Sequence, residues 1–140
     1  MTDQRLTGYG FGRNLRLLTA SDYKAVFSQA EFKVSCPQLL ILATRHDNVS
    51  PRLGLVIAKK NIRLAVQRNR VKRLIRESFR HQQDSFTGLD IVILARKGLG
   101  TMDNAAIARL LDKLWQDLVR RRDRQFEQKA AQQTINRTVK

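Results

Sequence analysis

The residues best suited to chemistry in this sequence are a dense group of cations between positions 59 and 76. Eight of these eighteen residues are Lys or Arg, and the segment contains no Asp or Glu. Arginine offers planar donors to phosphate oxygens, lysine offers a compact charge, and an asparagine amide can bond to a sugar or base edge. The candidate phosphate-binding residues in the second half of the segment are Arg68, Asn69, Arg70, Lys72, Arg73 and Arg76.

The element that must position these cations is a predicted helix from Arg68 to about Gln82. At about 100° per residue, one side of this helix carries the apolar side chains Val71, Leu74, Ile75 and Phe79. The cations occupy the other side in an arc of about 140°. Like charges at i, i+4 destabilise a helix, and a solvated face normally has acids interspersed. A charge run is usually just a solvated face, but the one-sided charge on an anchored helix favours polyphosphate binding here.

The composition of the whole chain also indicates a polyanionic partner. The chain has 140 residues, with 27 Lys and Arg against 12 Asp and Glu, which gives a net charge of +15. This length predicts one compact domain, and the 42% hydrophobic content is that of an ordinary globular protein. Because such an excess of positive charge opposes folding, we expect it to serve binding, with nucleic acid ahead of an anionic membrane surface.

Several classes of protein are excluded by the same composition. A single cysteine, Cys36, cannot form a disulfide framework or a Cys-based zinc site within the chain. The sequence contains no run of about 20 apolar residues that could cross a membrane. Its first twenty residues contain Gly and Arg where a secretory signal would have an apolar core. We therefore expect a cytoplasmic protein without a membrane partner.

The sequence contains no recognisable catalytic constellation. His46 and His81 have no second His or Cys at metal-ligand spacing. Asp90 stands at the start of a predicted strand, where a turn or hydrogen-bonding role is commoner than a catalytic one. The glycines from Gly8 to Gly12 do not follow a strand, so they do not match a phosphate-binding loop. We predict no catalytic residue, no protein-bound metal and no small-molecule substrate.

The remaining elements are predicted from periodicity. Helical spacing indicates a helix over about 20–29, and apolar runs indicate strands at 39–43, 52–58 and 89–95. A hairpin between the first two runs is the simplest pairing. Asp103 opens a final helix with one continuous apolar stripe. Together these elements indicate an α+β fold with one sheet packed by helices. The predicted organisation is a basic arm at 1–18, a nucleic-acid-binding α+β domain at 19–119 and a basic, Gln-rich polar tail at 120–140.

The cationic helix resembles the signature of the bacterial ribonuclease P protein subunit. The resemblance rests on Arg68-Asn69-Arg70 followed by Lys72-Arg73 and Arg76. It extends to Arg52-Leu53-Gly54-Leu55 and Ala58-Lys59-Lys60 before the motif, and to Asp90-Ile91-Val92 and Ala95-Arg96 after it. Arg16-Leu17, Asp22-Tyr23 and Val26-Phe27 also resemble the family. The match covers about residues 13–118.

This resemblance implies both a fold and a role. The implied fold is a two-layer α+β sandwich of order α-β-β-β-α-β-α with a left-handed crossover. The implied role is to help a catalytic RNA cleave precursor tRNA at its 5′ end, with Mg²⁺ held chiefly by the RNA. The basic helix together with Lys59 and Lys60 would contact the catalytic RNA. Residues Tyr23 and Phe27 would line a cleft for the single-stranded 5′ leader.

Other interpretations stay open on the sequence alone. Tyr23 and Phe27 lie one turn apart and could simply be core residues of the first helix. Composition and charge equally permit a structural rRNA-binding protein of similar fold. A DNA-binding helix or a basic helix on a membrane surface is a further alternative; a membrane helix would expose its apolar stripe.

Overall fold

The computed structural model describes residues 20–45 and 50–139, and side chains up to Gln125. The predicted arm at 1–18, Thr19 and the turn containing His46 lie outside the described residues.

The described chain alternates helices and strands in the predicted order. Its elements are α1 (Ala20–Gln29), β1 (Phe32–Cys36), β2 (Leu39–Arg45), β3 (Arg52–Val56), α2 (Ala65–Gln82), β4 (Leu89–Ala95) and α3 (Asn104–Val139). Short 3₁₀ helices at Gln83–Phe86 and Leu99–Thr101 flank β4. The α+β class and the order α-β-β-β-α-β-α are confirmed.

The four strands form one sheet in the order β1-β2-β4-β3. Strand β2 pairs antiparallel with β1 and with β4, whereas β3 pairs parallel with β4. The predicted hairpin between the runs at 39–43 and 52–58 is therefore wrong. The two runs do not pair because α2 connects β3 to β4, and so long a connection lets these two strands run parallel. Strand β2 instead forms a hairpin with β1 through the short turn at Pro37 and Gln38. The handedness of the β3–α2–β4 connection stays an expectation from the resemblance.

One face of the sheet carries the main hydrophobic core. Alternate residues of β4 point to this face, including Ile91 and Ile93, both fully buried. Helices α2 and α3 cover it, and their rings Phe79 and Trp115 pack against each other and against Phe86 of the first 3₁₀ helix. The ring centroids of Phe86 and Trp115 are 4.7 Å apart. The Trp115 indole N–H donates a 2.8 Å hydrogen bond to Ser78 Oγ, so this large buried ring also has its polar atom satisfied.

Helix α1 covers part of the opposite face. Its Val26 is fully buried against Val92 of β4, with Leu42, Val56 and Leu94 packed around them. Because α1 is short, it leaves a groove between its own surface and β3. The sheet thus has the cationic helix α2 on one face and the aromatic residues of α1 on the other.

Helix α3 is longer than its apolar stripe. Asp103 accepts a 2.7 Å hydrogen bond from the Ala106 N–H, which caps the start of the helix. Its buried stripe runs from Ile107 to Leu118, and the helix then continues without a break to Val139. The predicted boundary between domain and tail at 119/120 therefore falls within one continuous helix.

Candidate nucleic-acid interface

Helix α2 is anchored through its apolar side. Val71, Ile75 and Phe79 are fully buried in the main core. This is the stripe that an amphipathic membrane helix would insert into lipid, and the core uses it instead. The opposite side of α2 is therefore fixed in an outward orientation.

The outward side of α2 presents cations to solvent. Asn69 and Arg73 are exposed and Lys72 is partly exposed. Within the described residues, these three side chains make no hydrogen bond or ion pair. Arg76 is partly buried and is engaged with a neighbour. Lys59, Lys60 and Arg63 are exposed in the loop that precedes the helix.

Arg70 differs from the other predicted phosphate-binding residues because its guanidinium is committed to the protein. Its Nε donates to Gln67 Oε1 at 2.8 Å, and its Nη1 donates to Asn104 Oδ1 at 2.6 Å. Its Nη2 donates to the carbonyls of Gly100 and Met102 at 2.9 and 3.0 Å. The bond to Gln67 lies within α2, and the other three tie α2 to the β4–α3 connection and to the first residue of α3. Arg70 thus helps to hold α2 in place, which its position in a charge run did not indicate, and its binding to RNA stays a prediction.

Arg68 also donates hydrogen bonds within the protein, but only two of them. Its Nη1 donates to the carbonyls of Ile62 and Arg63 at 3.0 and 2.8 Å. These bonds hold the loop against the first turn of α2. The Asn61 amide then joins this loop to β4 through a 2.8 Å bond to the Ala95 carbonyl. The loop that carries Lys59, Lys60 and Arg63 is thus fixed relative to α2 and β4.

The aromatic residues of α1 line a groove of about 490 Å³ beside β3. Phe27 is 46% exposed, so it is not a core residue. Tyr23 is partly buried, and its Oη accepts a 3.2 Å hydrogen bond from the Leu55 N–H. The rest of the lining is Ala20, Lys24, Leu55 and Val56. Lys24 was not among the predicted site residues, although its position between the two aromatic residues on α1 was a usable signal.

Gly54 allows the Tyr23 ring to approach β3 closely. A Cβ atom at this position would stand 2.6 Å from Tyr23 Cε1 and 2.7 Å from Tyr23 Cζ. Such distances are far below van der Waals contact, so any larger residue must displace the ring. The groove therefore depends on a glycine in β3 as well as on the aromatic residues of α1.

An ion-pair cluster fixes α1 relative to β3 and β4. Arg52 donates to both carboxylate oxygens of Asp90, at 2.9 and 2.6 Å, and lies 3.6 Å from Asp22 of α1. The hydrogen bond to Asp90 raises the pKa of Arg52 above its ordinary value; burial opposes this, while the charges of Asp90 and Asp22 reinforce it. Asp90 is thus occupied by an internal partner, as the sequence indicated.

Neither a metal cluster nor a membrane-spanning helix is found in the described part of the chain. It contains no group of three or more His, Cys, Asp or Glu side chains that could hold a metal ion. None of its helices combines the length and apolarity needed to cross a bilayer.

Comparison with known proteins identifies a family. The family model described as Ribonuclease P matches residues 11–119. A Ribonuclease P protein component from Pseudomonas aeruginosa strain PAO1 is 54% identical over 114 residues, which cover 81% of this chain and 84% of that relative. A Ribonuclease P protein component from Stutzerimonas stutzeri is 53% identical over 111 residues, or 79% of this chain and 85% of that relative.

Solved structures agree with the sequence relatives. The RNase P protein from Staphylococcus aureus superposes with a TM-score of 0.68 at 25% identity, covering 73% of this chain and 93% of that protein. The RNase P protein from Thermotoga maritima superposes with a TM-score of 0.62 at 28% identity, covering 72% of this chain and 96% of that protein. The fold is therefore shared by proteins whose sequences have diverged widely.

Proposed function

The chain belongs to the ribonuclease P protein family, and on this premise we propose how it serves as the protein subunit of an endoribonuclease that matures tRNA 5′ ends. The observation that carries the proposal is the anchored helix α2, whose outward side presents Lys72 and Arg73 without protein partners among the described residues. We propose that this side binds phosphates of the ribonuclease P RNA. Lys59 and Lys60 would extend the contact through the preceding loop.

The second part of the proposal concerns the substrate. The groove beside β3 combines the exposed ring of Phe27 with the ammonium group of Lys24. Aromatic faces stack on unpaired bases with little sequence preference, at about 1–3 kcal/mol per base. A 5′ leader differs from one precursor tRNA to another, so a sequence-tolerant groove suits it. We therefore assign the leader of precursor tRNA to this groove.

The third part assigns catalysis to the RNA. Mg²⁺ held chiefly by the RNA would activate the attacking water and stabilise the leaving oxygen. The protein would contribute positive charge that offsets repulsion between two large RNAs, and so would reduce the Mg²⁺ needed. We place this activity in the cytoplasm, with the precursor tRNAs.

A binding comparison tests the choice of RNA partner. We expect the chain to bind ribonuclease P RNA more tightly than an rRNA fragment of equal length at the same salt concentration. Lys72→Ala/Arg73→Ala should weaken binding to the ribonuclease P RNA while leaving the thermal unfolding temperature unchanged. Equal affinity for both RNAs would contradict the proposal and would favour a structural rRNA-binding protein.

A further inference from the structure

A second cationic groove lies at the sheet edge opposite the leader groove. It is lined by the edge strand β1, through Phe32 and Lys33, and by the later part of α3, through Arg121, Arg124 and Gln125; Glu31 completes it. Its volume is about 250 Å³. Strands β1 and β3 are three strand spacings apart in the sheet, a distance of about 14 Å. This groove is therefore distinct from the groove that α1 forms beside β3.

The cations of this groove differ from their neighbours on α3. Arg120 pairs with Asp117 at 3.1 Å, and Arg122 bonds to Asp123 and to the Ser85 carbonyl. Arg121 and Arg124 are exposed, stand three residues apart on one side of the helix, and have no hydrogen-bond or ion-pair partner within the described residues. The helix thus leaves uncommitted the two arginines that face the groove.

The single carboxylate of the groove is neutralised by an internal partner. Glu31 accepts hydrogen bonds from Arg45, whose Nη2 lies 2.9 Å from Glu31 Oε2. Lys33 is exposed on β1 beside them and makes no ion pair within the described part of the chain. With Arg45 balancing Glu31, the charges of Lys33, Arg121 and Arg124 have no acidic partner among the described side chains. This arrangement favours an anion.

Gln125 adds a polar atom that lacks a partner. Its Oε1 is buried and has no hydrogen-bond partner among the described residues. A buried acceptor without a donor is costly, so the Gln125 amide, which lines the groove, gains a hydrogen bond if it turns towards a donor bound there. The 2′-hydroxyl of RNA is such a donor, and it is linked to a phosphate of the kind that the neighbouring arginines bind.

We propose that the groove between β1 and α3 is a second RNA-binding site, in which Lys33, Arg121 and Arg124 bind backbone phosphates and Gln125 accepts a hydrogen bond from a ribose. This inference rests on the proposed function, because it takes ribonuclease P as the setting. It adds a contact remote from α2 and from the leader groove. RNA would then contact the protein at the β1 edge of the sheet, in addition to α2 and the groove beside β3.

The test measures how RNA affinity depends on salt. Removing one lysine or arginine that binds a phosphate reduces the slope of log affinity against log salt by about 1. Arg121→Ala/Arg124→Ala should therefore reduce the slope by about 2. The matched control is Arg109→Ala/Arg120→Ala, which removes the same charge from exposed positions on the same helix outside the groove. The control should leave the slope within about 0.5 of that of the unmodified protein.

Two arms identify which RNA occupies the groove. One measures binding of the protein to ribonuclease P RNA alone, and the other measures binding of precursor tRNA to the assembled holoenzyme. A reduced slope in the first arm assigns the phosphates to the ribonuclease P RNA, and a reduction only in the second assigns them to precursor tRNA. If the groove variant matches the control in both arms, the inference is overturned.

Further variants keep the test decisive. Lys33→Ala changes an exposed residue of the edge strand and should reduce the slope by about 1, even if the double variant fails to fold. Gln125→Leu should weaken binding in the same arm without changing the slope, and unchanged affinity would overturn the ribose contact.

If the unmodified protein does not bind ribonuclease P RNA, the proposed function fails. If it binds and only the groove variants behave as the control, this second site alone fails.

Discussion

Two arginines three residues apart on α2 differ in their hydrogen bonds to the protein. Arg70 donates four hydrogen bonds to side chains and carbonyls of the protein, whereas Arg73 is exposed and makes none within the described residues. The sequence predicted RNA binding for both, because residue type and helical angle are all that a charge run reveals. The carbonyls that Arg70 bonds lie about thirty residues further along the chain, in the β4–α3 connection. A local pattern contains no information about that contact.

The first prediction follows from this difference. Arg70→Ala should lower the free energy of unfolding by about 2 kcal/mol, because it removes a partly buried set of hydrogen bonds to a charged group. Arg70→Lys should not restore stability, because an ammonium group cannot reach the same acceptors as a planar fork. Thermal or urea unfolding measures both effects. Arg73→Ala is the control and should change unfolding little; equal destabilisation by the two alanine variants would contradict the assignment.

The second prediction concerns Phe27, whose ring is 46% exposed. Phe27→Ala should weaken holoenzyme binding of a leader-bearing precursor tRNA by roughly tenfold, in line with the loss of one base–aromatic stack. Binding of mature tRNA should stay nearly unchanged, and Phe27→Tyr should retain most of the affinity because it keeps the aromatic face. Equal losses for precursor and mature tRNA would show that the ring does not contact the leader.

At the scale of elements, the position of α1 depends on its contact with β3. Tyr23 fits only because Gly54 has no side chain, and the Arg52–Asp90 ion pair extends to Asp22 of the same helix. The sequence predicted the bounds of α1 and the strand that contains Gly54. It did not predict that the two meet. A glycine within an apolar run is compatible with several kinds of close approach.

The third prediction tests this contact. Gly54→Ala should lower the free energy of unfolding by about 1–3 kcal/mol, because the added methyl group overlaps the Tyr23 ring. The same change should also weaken leader binding, since it displaces the groove wall. In a Tyr23→Ala background most of the additional destabilisation should disappear, and a double-mutant cycle measures that coupling. Additive effects of the two substitutions would show that the ring and the strand do not interact.

The incorrect strand pairing also belongs to the scale of elements. Apolar runs identified the strands at 39–43, 52–58 and 89–95, but such runs do not specify their partners. The alternation of Phe32, Lys33, Val34 and Ser35, followed by Pro37, was the available signal for an edge strand and a tight turn. Given more weight, it would have predicted the β1–β2 hairpin. The parallel pairing of β3 with β4 depends on how α2 packs, which involves the whole domain.

At the scale of the whole molecule, the chain has a net charge of +15, and cations of its described part form separate surfaces. The outward side of α2 with its preceding loop forms one, and the groove between β1 and α3 forms another. Two other cations stabilise the fold instead: Arg52 through its ion pair with Asp90, and Arg70 through its four hydrogen bonds. Because pairing raises the pKa of Arg52, the stability that the ion pair adds is fully present below the ordinary arginine pKa. It is lost only as pH rises through the raised pKa. The ionisation of Arg52 should therefore not make stability depend on pH near neutrality.

The most direct test of the central claim is 5′ cleavage of a precursor tRNA by ribonuclease P RNA at low Mg²⁺, with and without this protein. We predict that the protein stimulates cleavage and that Lys72→Ala/Arg73→Ala loses most of that stimulation while its thermal unfolding is unchanged. Raising Mg²⁺ should restore the rate with the variant, because divalent cations replace part of the missing positive charge. No stimulation by the unmodified protein, or full stimulation by the variant, would contradict the claim that the outward side of α2 serves ribonuclease P.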